Sequence, residues 1–241
     1  MSSESATTTV DGLRAQLAEI ERTLGSKTYK PGQWDALLRE LRAEPDQVRR
    51  SLAGDVSRAS RKLHQRTARA TMPFDLALLL EGVGTALGGV LLALAVAGES
   101  TVLAILGAFA WGTTFQPLVK ISVGRALGIA YDYAYLFHVE PRFKMSFGTY
   151  LAAPRWARIT FHLSGIVGSP LGLAAAAVLV GGTLPATAGF MWIVLWLVNL
   201  GNLVPFIGGL AGVPRLGAWR FTIASGGVAG VELREALGLA G

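Results

Sequence analysis

Residues 76–97 read LALLLEGVGTALGGVLLALAVA, and a second apolar run, TVLAILGAFAWGTTFQPLV, occupies residues 101–119. Each run matches the roughly 20 residues that a helix needs to cross the hydrocarbon core of a bilayer. Two further runs of this kind, about 160–180 and 187–207, are separated by a Gly/Pro turn. The sequence therefore predicts an all-α polytopic membrane protein with about four transmembrane helices in two hairpins.

The charged residues support the same interpretation. Only 16% of the 241 residues are charged, whereas soluble domains carry about 25%. All 22 Lys and Arg residues lie in segments 1–73, 120–158 and 215–241. The positive-inside rule then predicts that these three segments, and both termini with them, are cytoplasmic. The net charge of +6 thus indicates topology, and no nucleic-acid partner is predicted because the basic N-terminal segment also carries many acids.

Segment 1–73 is expected to be a small cytoplasmic helical region, followed by a membrane domain at 74–214 and a cytoplasmic tail at 215–241. Apolar residues recur at helical spacing in three stretches, which begin near Val10, Pro31 and Pro45. Three short helices make a marginal core. Docking to the membrane domain, to a membrane-protein partner or to a second copy of the chain is therefore expected to stabilise this region.

A basic cluster lies immediately before the first span. In this position it is expected to attract anionic lipid headgroups, at about 1 kcal/mol for each residue near the surface. Its members are Arg58, Arg61, Lys62, Arg66 and Arg69.

Several polar residues fall inside the predicted spans. Glu81 is a candidate buried acid, because a carboxylate in hydrocarbon normally faces a partner, water or a proton path. Gln116 and Lys120 are four residues apart and share one helix face. In the fourth span Asn199 and Asn202 precede Pro205, where the helix is expected to break.

Three segments, taken together, resemble site-2-type intramembrane zinc metalloproteases. The run QPLVKISVGRALGI at 116–129 is similar in layout to that family's metal-binding helix, where HExxH or HPxxH precedes a small-residue stretch and a GRxxGI-like ending. The run PRWARITFHLSG at 154–165 resembles the start of the family's next core helix. The run NLGNLVPFIGG at 199–209 resembles its NLLPxxxLDGG segment.

The resemblance implies a family fold without the family's chemistry. Gln116 and Lys120 stand where the two histidine ligands would be, Pro117 stands in the catalytic Glu position, and no Asp supplies the third ligand. A lysine repels a metal ion, and no general base remains to activate water. The implied protein is a pseudoenzyme with no catalytic residue and no cofactor, whose vestigial site comprises Gln116, Pro117, Lys120, Asn199 and Asn202. It would act as a scaffold, an accessory subunit or a binder of a transmembrane segment, with Glu81 as a possible ion-pair partner of Lys120.

Two other functions stay open at this point. One is an active intramembrane metallohydrolase that holds zinc through atypical ligands, namely His138, Glu140 and His162. The other is a structural subunit of a larger membrane complex, which binds lipid or pigment through His138 or His162.

The segment 129–139 (IAYDYAYLFHV) has alternating aromatic residues. Period-two alternation is typical of a strand, but a re-entrant or interfacial segment fits it as well. The family resemblance would allow a strand that pairs with an extended substrate.

Overall fold

A computed structural model describes residues 3–26, 29, 30, 32–68, 70–137, 140–213, 226–237 and 239. Four of its helices are long and apolar enough to cross a membrane: α5 (Phe74–Ala97), α6 (Thr101–Ala126), α8 (Arg155–Val180) and α9 (Pro185–Leu210). Short turns join α5 to α6 and α8 to α9. The predicted all-α polytopic fold with two helical hairpins is confirmed.

The first of two compact units contains residues 1–74 and 128–154. Its helices are α1 (Ser3–Thr23), α2 (Gln33–Ala43), α3 (Asp46–Ser51), α4 (Ala53–Gln65) and α7 (Phe147–Ala152). Their buried apolar side chains recur at the predicted helical spacing and include Leu13, Leu17, Leu37, Leu41, Val48, Leu52 and Val56. The third predicted helix is divided at Leu52 into α3 and α4.

A small antiparallel sheet completes this unit. Its order is β1 (Thr71–Met72), β2 (Tyr131–Phe137) and β3 (Glu140–Met145). The alternating aromatic segment is therefore a strand, and it is the central strand of the sheet. Its Tyr135 lies opposite Thr71 of β1 on one side and opposite Arg142 of β3 on the other. β3 covers one edge of β2 along its length, and β1 covers the other edge only at Ala134 and Tyr135. An extended substrate therefore could not pair along the whole of that edge without displacing β1.

The second unit contains residues 75–127 and 155–241. Helix α8 packs between α6 and α9, and a short helix near the C-terminus, α10 (Gly226–Ala236), packs on α8 and α9. The core consists of small and aliphatic side chains from these helices and α5, among them Leu92, Ala104, Ala108, Leu173, Ala176, Val180 and Met191. Large apolar side chains on the outer faces of the spans are exposed, for example Leu79, Val83, Phe109, Val178 and Trp196.

This grouping differs from the linear division at 1–73, 74–214 and 215–241. Residues 128–154 belong with the N-terminal residues, because β2 pairs with β1 and because α7 packs on α3 and α4. The C-terminal segment is not a separate tail in its described part, since α10 lies against the membrane helices. The sequence order alone does not indicate either association.

The expected helix break at Pro205 is wrong. Helix α9 continues through Pro205 to Leu210, and α6 and α8 likewise contain Pro117 and Pro170. A proline removes one backbone N–H and brings its ring against the carbonyl four residues earlier. At Pro205 that residue is Gly201, and neighbouring helices commonly support such prolines in membrane spans.

Candidate functional site

Gln116 and Lys120, two of the predicted site residues on α6, lie where this helix meets α8. A Cβ atom added to Gly168 of α8 would lie 2.9 Å from the Phe115 carbonyl oxygen and 3.0 Å from the Gln116 backbone nitrogen. One turn further along, a Cβ on Gly172 would lie 2.5 Å from the Trp111 carbonyl oxygen. The two backbones are thus in direct contact, as small residues permit in membrane helices. The backbone at Gln116 is therefore part of the contact between α6 and α8.

Lys120 lies one turn beyond Gln116 in the same interface. Its Nζ is 4.8 Å from the centroid of the Phe161 ring on α8, within the range of a cation–π interaction. The neighbouring His162 is only 4% exposed, and the positive charges of Lys120 and Arg158 both act on its ring. The charge of Lys120 opposes a metal cation at this position, whereas the charge of Arg158 is matched by Glu232.

A buried ion pair joins the first turn of α8 to α10. Arg158 Nε lies 3.3 Å from Glu232 Oε2, and the two side chains are only 6% and 5% exposed. Glu232 was not among the predicted site residues, because residues 215–241 contain no apolar run long enough for a span and were expected to form a tail. One available signal was an acid that follows the closely spaced glycines of a short apolar segment, GGVAGVE.

Helix α10 reaches α9 through glycines on both sides. A Cβ on Gly209 would lie 3.0 Å from the Val231 nitrogen, and a Cβ on Gly230 would lie 2.8 Å from the Leu210 nitrogen. In each case a backbone oxygen of the other helix, from Gly227 or Phe206, is closer still. Only glycine fits at these two positions without displacing the facing backbone.

The two asparagines of α9 differ in burial. Asn199 is half-buried, whereas Asn202 is 1% exposed and donates a hydrogen bond of 3.1 Å from Nδ2 to the Val198 carbonyl oxygen. Within the described residues, Asn202 Oδ1 is buried and has no hydrogen-bond partner. The hydrogen bond of Asn202 joins two residues of α9, and it gives no contact with Gln116 or Lys120. A site shared by these three residues therefore remains a prediction.

Glu81 is buried in α5, at 8% exposure. One turn further along, Thr85 Oγ1 donates to the Glu81 carbonyl oxygen and lies 2.8 Å from Thr114 Oγ1 of α6. Trp111 Nε1 of α6 donates to the Thr85 carbonyl oxygen at 2.9 Å. This polar contact fixes α5 against α6 next to the Gly84 and Gly88 positions, where a Cβ would meet Thr114 and Trp111.

The alternative metal ligands do not form a described cluster. His138 lies outside the described residues, Glu140 belongs to β3 of the first unit, and His162 belongs to α8 of the second. In the described part of the chain, no group of three or more His, Cys, Asp or Glu residues is placed to hold a metal ion.

The basic cluster before the first span is largely matched by acids of its own unit. Arg58 Nε and Lys62 Nζ lie 3.0 and 2.8 Å from Glu21 of α1. Arg61 Nη2 lies 2.5 Å from Asp132 of β2, and the guanidinium of Arg66 lies over Gly25. Arg69 lies outside the described residues. These pairs reduce the positive charge available to lipid headgroups, and the lipid contact remains a prediction.

One face of α4 makes a polar interface with the sheet and the segment after it. Its hydrogen bonds join Ser57 to Ser146 at 2.7 Å, Ser60 to Lys144 at 3.0 Å and His64 Nδ1 to the Tyr133 hydroxyl at 2.7 Å. Burial, with a contribution from the charge of Lys144, lowers the pKa of His64. Burial also lowers the pKa of Lys144 and raises the pKa of Tyr133 to about 12.

This interface is expected to weaken in acid. Because folding lowers the pKa of His64, the unfolded chain binds this proton more tightly than the folded one. The stability that neutral His64 contributes is therefore present above its ordinary pKa of 6.5 and is lost as the pH falls through the folded pKa. We expect amide-exchange protection of α4 and β2, corrected for intrinsic rates, to be lower at pH 5.5 than at pH 7.

Two variants isolate the histidine. His64→Gln should remove most of this pH dependence, whereas Tyr133→Phe should lower protection at both pH values and leave the slope in place. An unchanged slope in His64→Gln would assign the effect to other groups.

The four apolar helices are long enough to span a bilayer, pack closely at glycines and expose large apolar side chains on their outer faces. These features define a polytopic helical membrane protein. Comparisons of the chain with protein-family models, with curated proteins and with solved structures found no match.

Proposed function

We propose that this chain is a non-catalytic integral membrane protein with a site-2-protease-like core, and that it acts as a scaffold, an accessory subunit or a binder of a transmembrane segment. The main support is the environment of Lys120. At the position of a family metal ligand, a cationic side chain packs on the Phe161 ring beside the buried His162. A positive charge there opposes metal binding and cannot activate water.

The neighbouring positions support the same proposal. The Gln116 backbone lies against Gly168, and Pro117 has no acid-base group. Membrane lipids and a membrane-protein partner or second copy are the expected partners. The charge distribution supports an orientation with the first unit and both termini in the cytoplasm.

Metal analysis of the purified full chain tests this proposal. We expect far less than one zinc per chain after purification in the presence of added zinc, because no carboxylate or imidazole pair replaces the family ligands on α6. His162→Ala should leave the zinc content unchanged. Stoichiometric zinc that is lost in His162→Ala would overturn the proposal and favour the metallohydrolase alternative.

A mutant cycle tests the predicted pair of Glu81 and Lys120. We expect Lys120→Ala and Glu81→Gln each to lower the free energy of unfolding. If the two residues are in contact, the loss in the double variant should be smaller than the sum of the two single losses by about 0.5–3 kcal/mol. Glu99→Gln, in the exposed turn between α5 and α6, is the matched control and should have little effect. Additive losses would show that the two groups act independently.

A further inference from the structure

Two tryptophans, an asparagine and a leucine form one face of α9 that the neighbouring helices leave largely uncovered. Trp192, Trp196 and Leu203 are 40%, 71% and 50% exposed, and Asn199, which lies among them, is half-buried. Their successive spacings of four, three and four residues place all four on one side of the helix. This set is called the Asn199 face below.

The Asn199 face has its polar groups at the middle of the span. Trp196 and Asn199 each lie about 2 Å along the axis from the midpoint of α9. Tryptophan is normally enriched at the two membrane–water interfaces, where its indole N–H reaches a polar partner. An amide in hydrocarbon likewise needs a hydrogen-bond partner, because it is costly to bury without one. Lipid chains therefore do not satisfy the polar groups of this face.

The chain itself does not satisfy these groups within its described residues. No hydrogen bond of the Asn199 side chain is found there, whereas the deeply buried Asn202 donates to a carbonyl oxygen of the same helix. The indole N–H of Trp196 has no such bond among the described residues either, in contrast to Trp111, whose N–H donates to the Thr85 carbonyl oxygen. The middle of the Asn199 face is therefore suited to a protein partner that supplies polar groups at the same depth.

A second copy of the chain supplies such a group without any further requirement. An asparagine amide is complementary to itself, because Nδ2 donates and Oδ1 accepts. Two copies enter the membrane with the same orientation. A two-fold axis along the membrane normal then brings each residue of the face opposite the same residue of the other copy, at the same depth. The two Asn199 amides meet, and no formal charge on this face opposes their approach.

The spacing of the Asn199 face also suits two helices that pack side by side. Spacings of four, three and four residues are those of a coiled-coil seam, and most membrane helices pack with the same left-handed crossing. A single asparagine in such a seam sets the register and the number of helices. Trp192, Trp196 and Leu203 provide the apolar contact area around Asn199.

We propose that the Asn199 face is the interface of a homodimer, in which α9 of one copy packs in parallel on α9 of the other and the two Asn199 amides form hydrogen bonds near the centre of the membrane. This inference rests on the proposed function in one respect, because it makes a second copy of the chain the partner.

Cysteine crosslinking of the full chain in membranes tests the contact. The chain has no cysteine, so Leu203→Cys and Val204→Cys each introduce a single thiol. These neighbours lie at nearly the same depth and are similarly exposed, at 50% and 42%, but successive residues of a helix point about 100° apart. With copper phenanthroline as the oxidant, Leu203→Cys should give roughly fivefold more covalent dimer or better, because a disulfide needs Cβ atoms about 4 Å apart. Equal yields, or no dimer from Leu203→Cys, would overturn the interface.

The dissociation constant of the dimer tests the amide pair. It is measured for the full chain in detergent micelles by energy transfer between differently labelled copies. Asn199→Leu should raise it about three- to thirtyfold, the equivalent of ~0.6–2 kcal/mol for an interhelical hydrogen bond in a membrane protein. Asn199→Gln keeps an amide, so it is the matched control and should dimerise better than Asn199→Leu. Equal dissociation constants for the Leu variant and the unsubstituted chain would overturn the amide pair.

The inference and the proposed function fail in different ways. A zinc-free chain that stays monomeric would overturn the homodimer and leave the non-catalytic function in place. A dimer crosslinked through Leu203→Cys that also holds stoichiometric zinc would retain the interface and overturn the non-catalytic function. Lipid alone, or a different membrane protein, on the Asn199 face would overturn the homodimer as well.

Discussion

Gly168→Ala is expected to lower the free energy of unfolding by about 3 kcal/mol, at the upper end of the usual range for overpacking. The added methyl group would meet backbone atoms of α6 at Phe115 and Gln116. Backbone atoms cannot rotate away as a flexible side chain can, so α6 and α8 would have to separate. Thermal unfolding of the purified protein in detergent, followed by the loss of the monodisperse species, measures the effect.

Gly189→Ala is the matched control for this substitution. Gly189 lies in span α9, and a Cβ atom there would find no neighbour within 4 Å. The change should be neutral or stabilising by up to about 1 kcal/mol, because alanine has the higher helix propensity. Similar destabilisation by both substitutions would mean that the contact between α6 and α8 is not what makes Gly168 sensitive.

Loss of either charge of the buried pair is expected to weaken the docking of α10 by up to about 3–5 kcal/mol, because the other charge stays buried and loses the contact between Arg158 and Glu232. Arg158→Leu and Glu232→Leu make this test. Amide-exchange protection of α10 in the full chain reports docking directly. The double variant R158L/E232L should recover a substantial part of the loss, since it leaves no unmatched charge.

Glu235→Leu is the control for the pair. Its side chain is half-buried on the same helix, and its replacement should change protection by less than about 1 kcal/mol, as is usual for partly exposed ion pairs. A double variant that loses the sum of the two single losses would contradict a direct interaction between Arg158 and Glu232.

The four spans could be predicted from local sequence because a bilayer imposes a length and excludes charge at each position. Glu81 is an exception to this exclusion of charge. It is buried near the contact between Thr85 and Thr114, and only the packing of α5 against other helices determines that burial. Gly84 and Gly88 lie four residues apart on one face of α5, and small residues so spaced permit the close contact with α6 that the structure shows.

The helix ends were harder to predict. The sequence predicted a break near Pro205, since proline removes a helical hydrogen bond, but α9 continues to Leu210 and meets α10 there. Residues 131–137 fitted a strand, a re-entrant segment or an interfacial segment equally well. Pairing with both β1 and β3 decided the outcome, and such pairing joins residues far apart in sequence.

By itself, the sequence determined the number of spans, their two hairpins and the absence of histidine from α6, because hydropathy, charge and residue identity act position by position. Only the tertiary structure decided that 128–154 joins the N-terminal unit, that Lys120 lies over Phe161 and that α10 is bound through Arg158. These outcomes depend on which distant surfaces meet. Two helices meet where glycines allow their backbones to come close and where each buried charge finds a partner. Both conditions involve two distant segments, so the sequence of one segment does not reveal them.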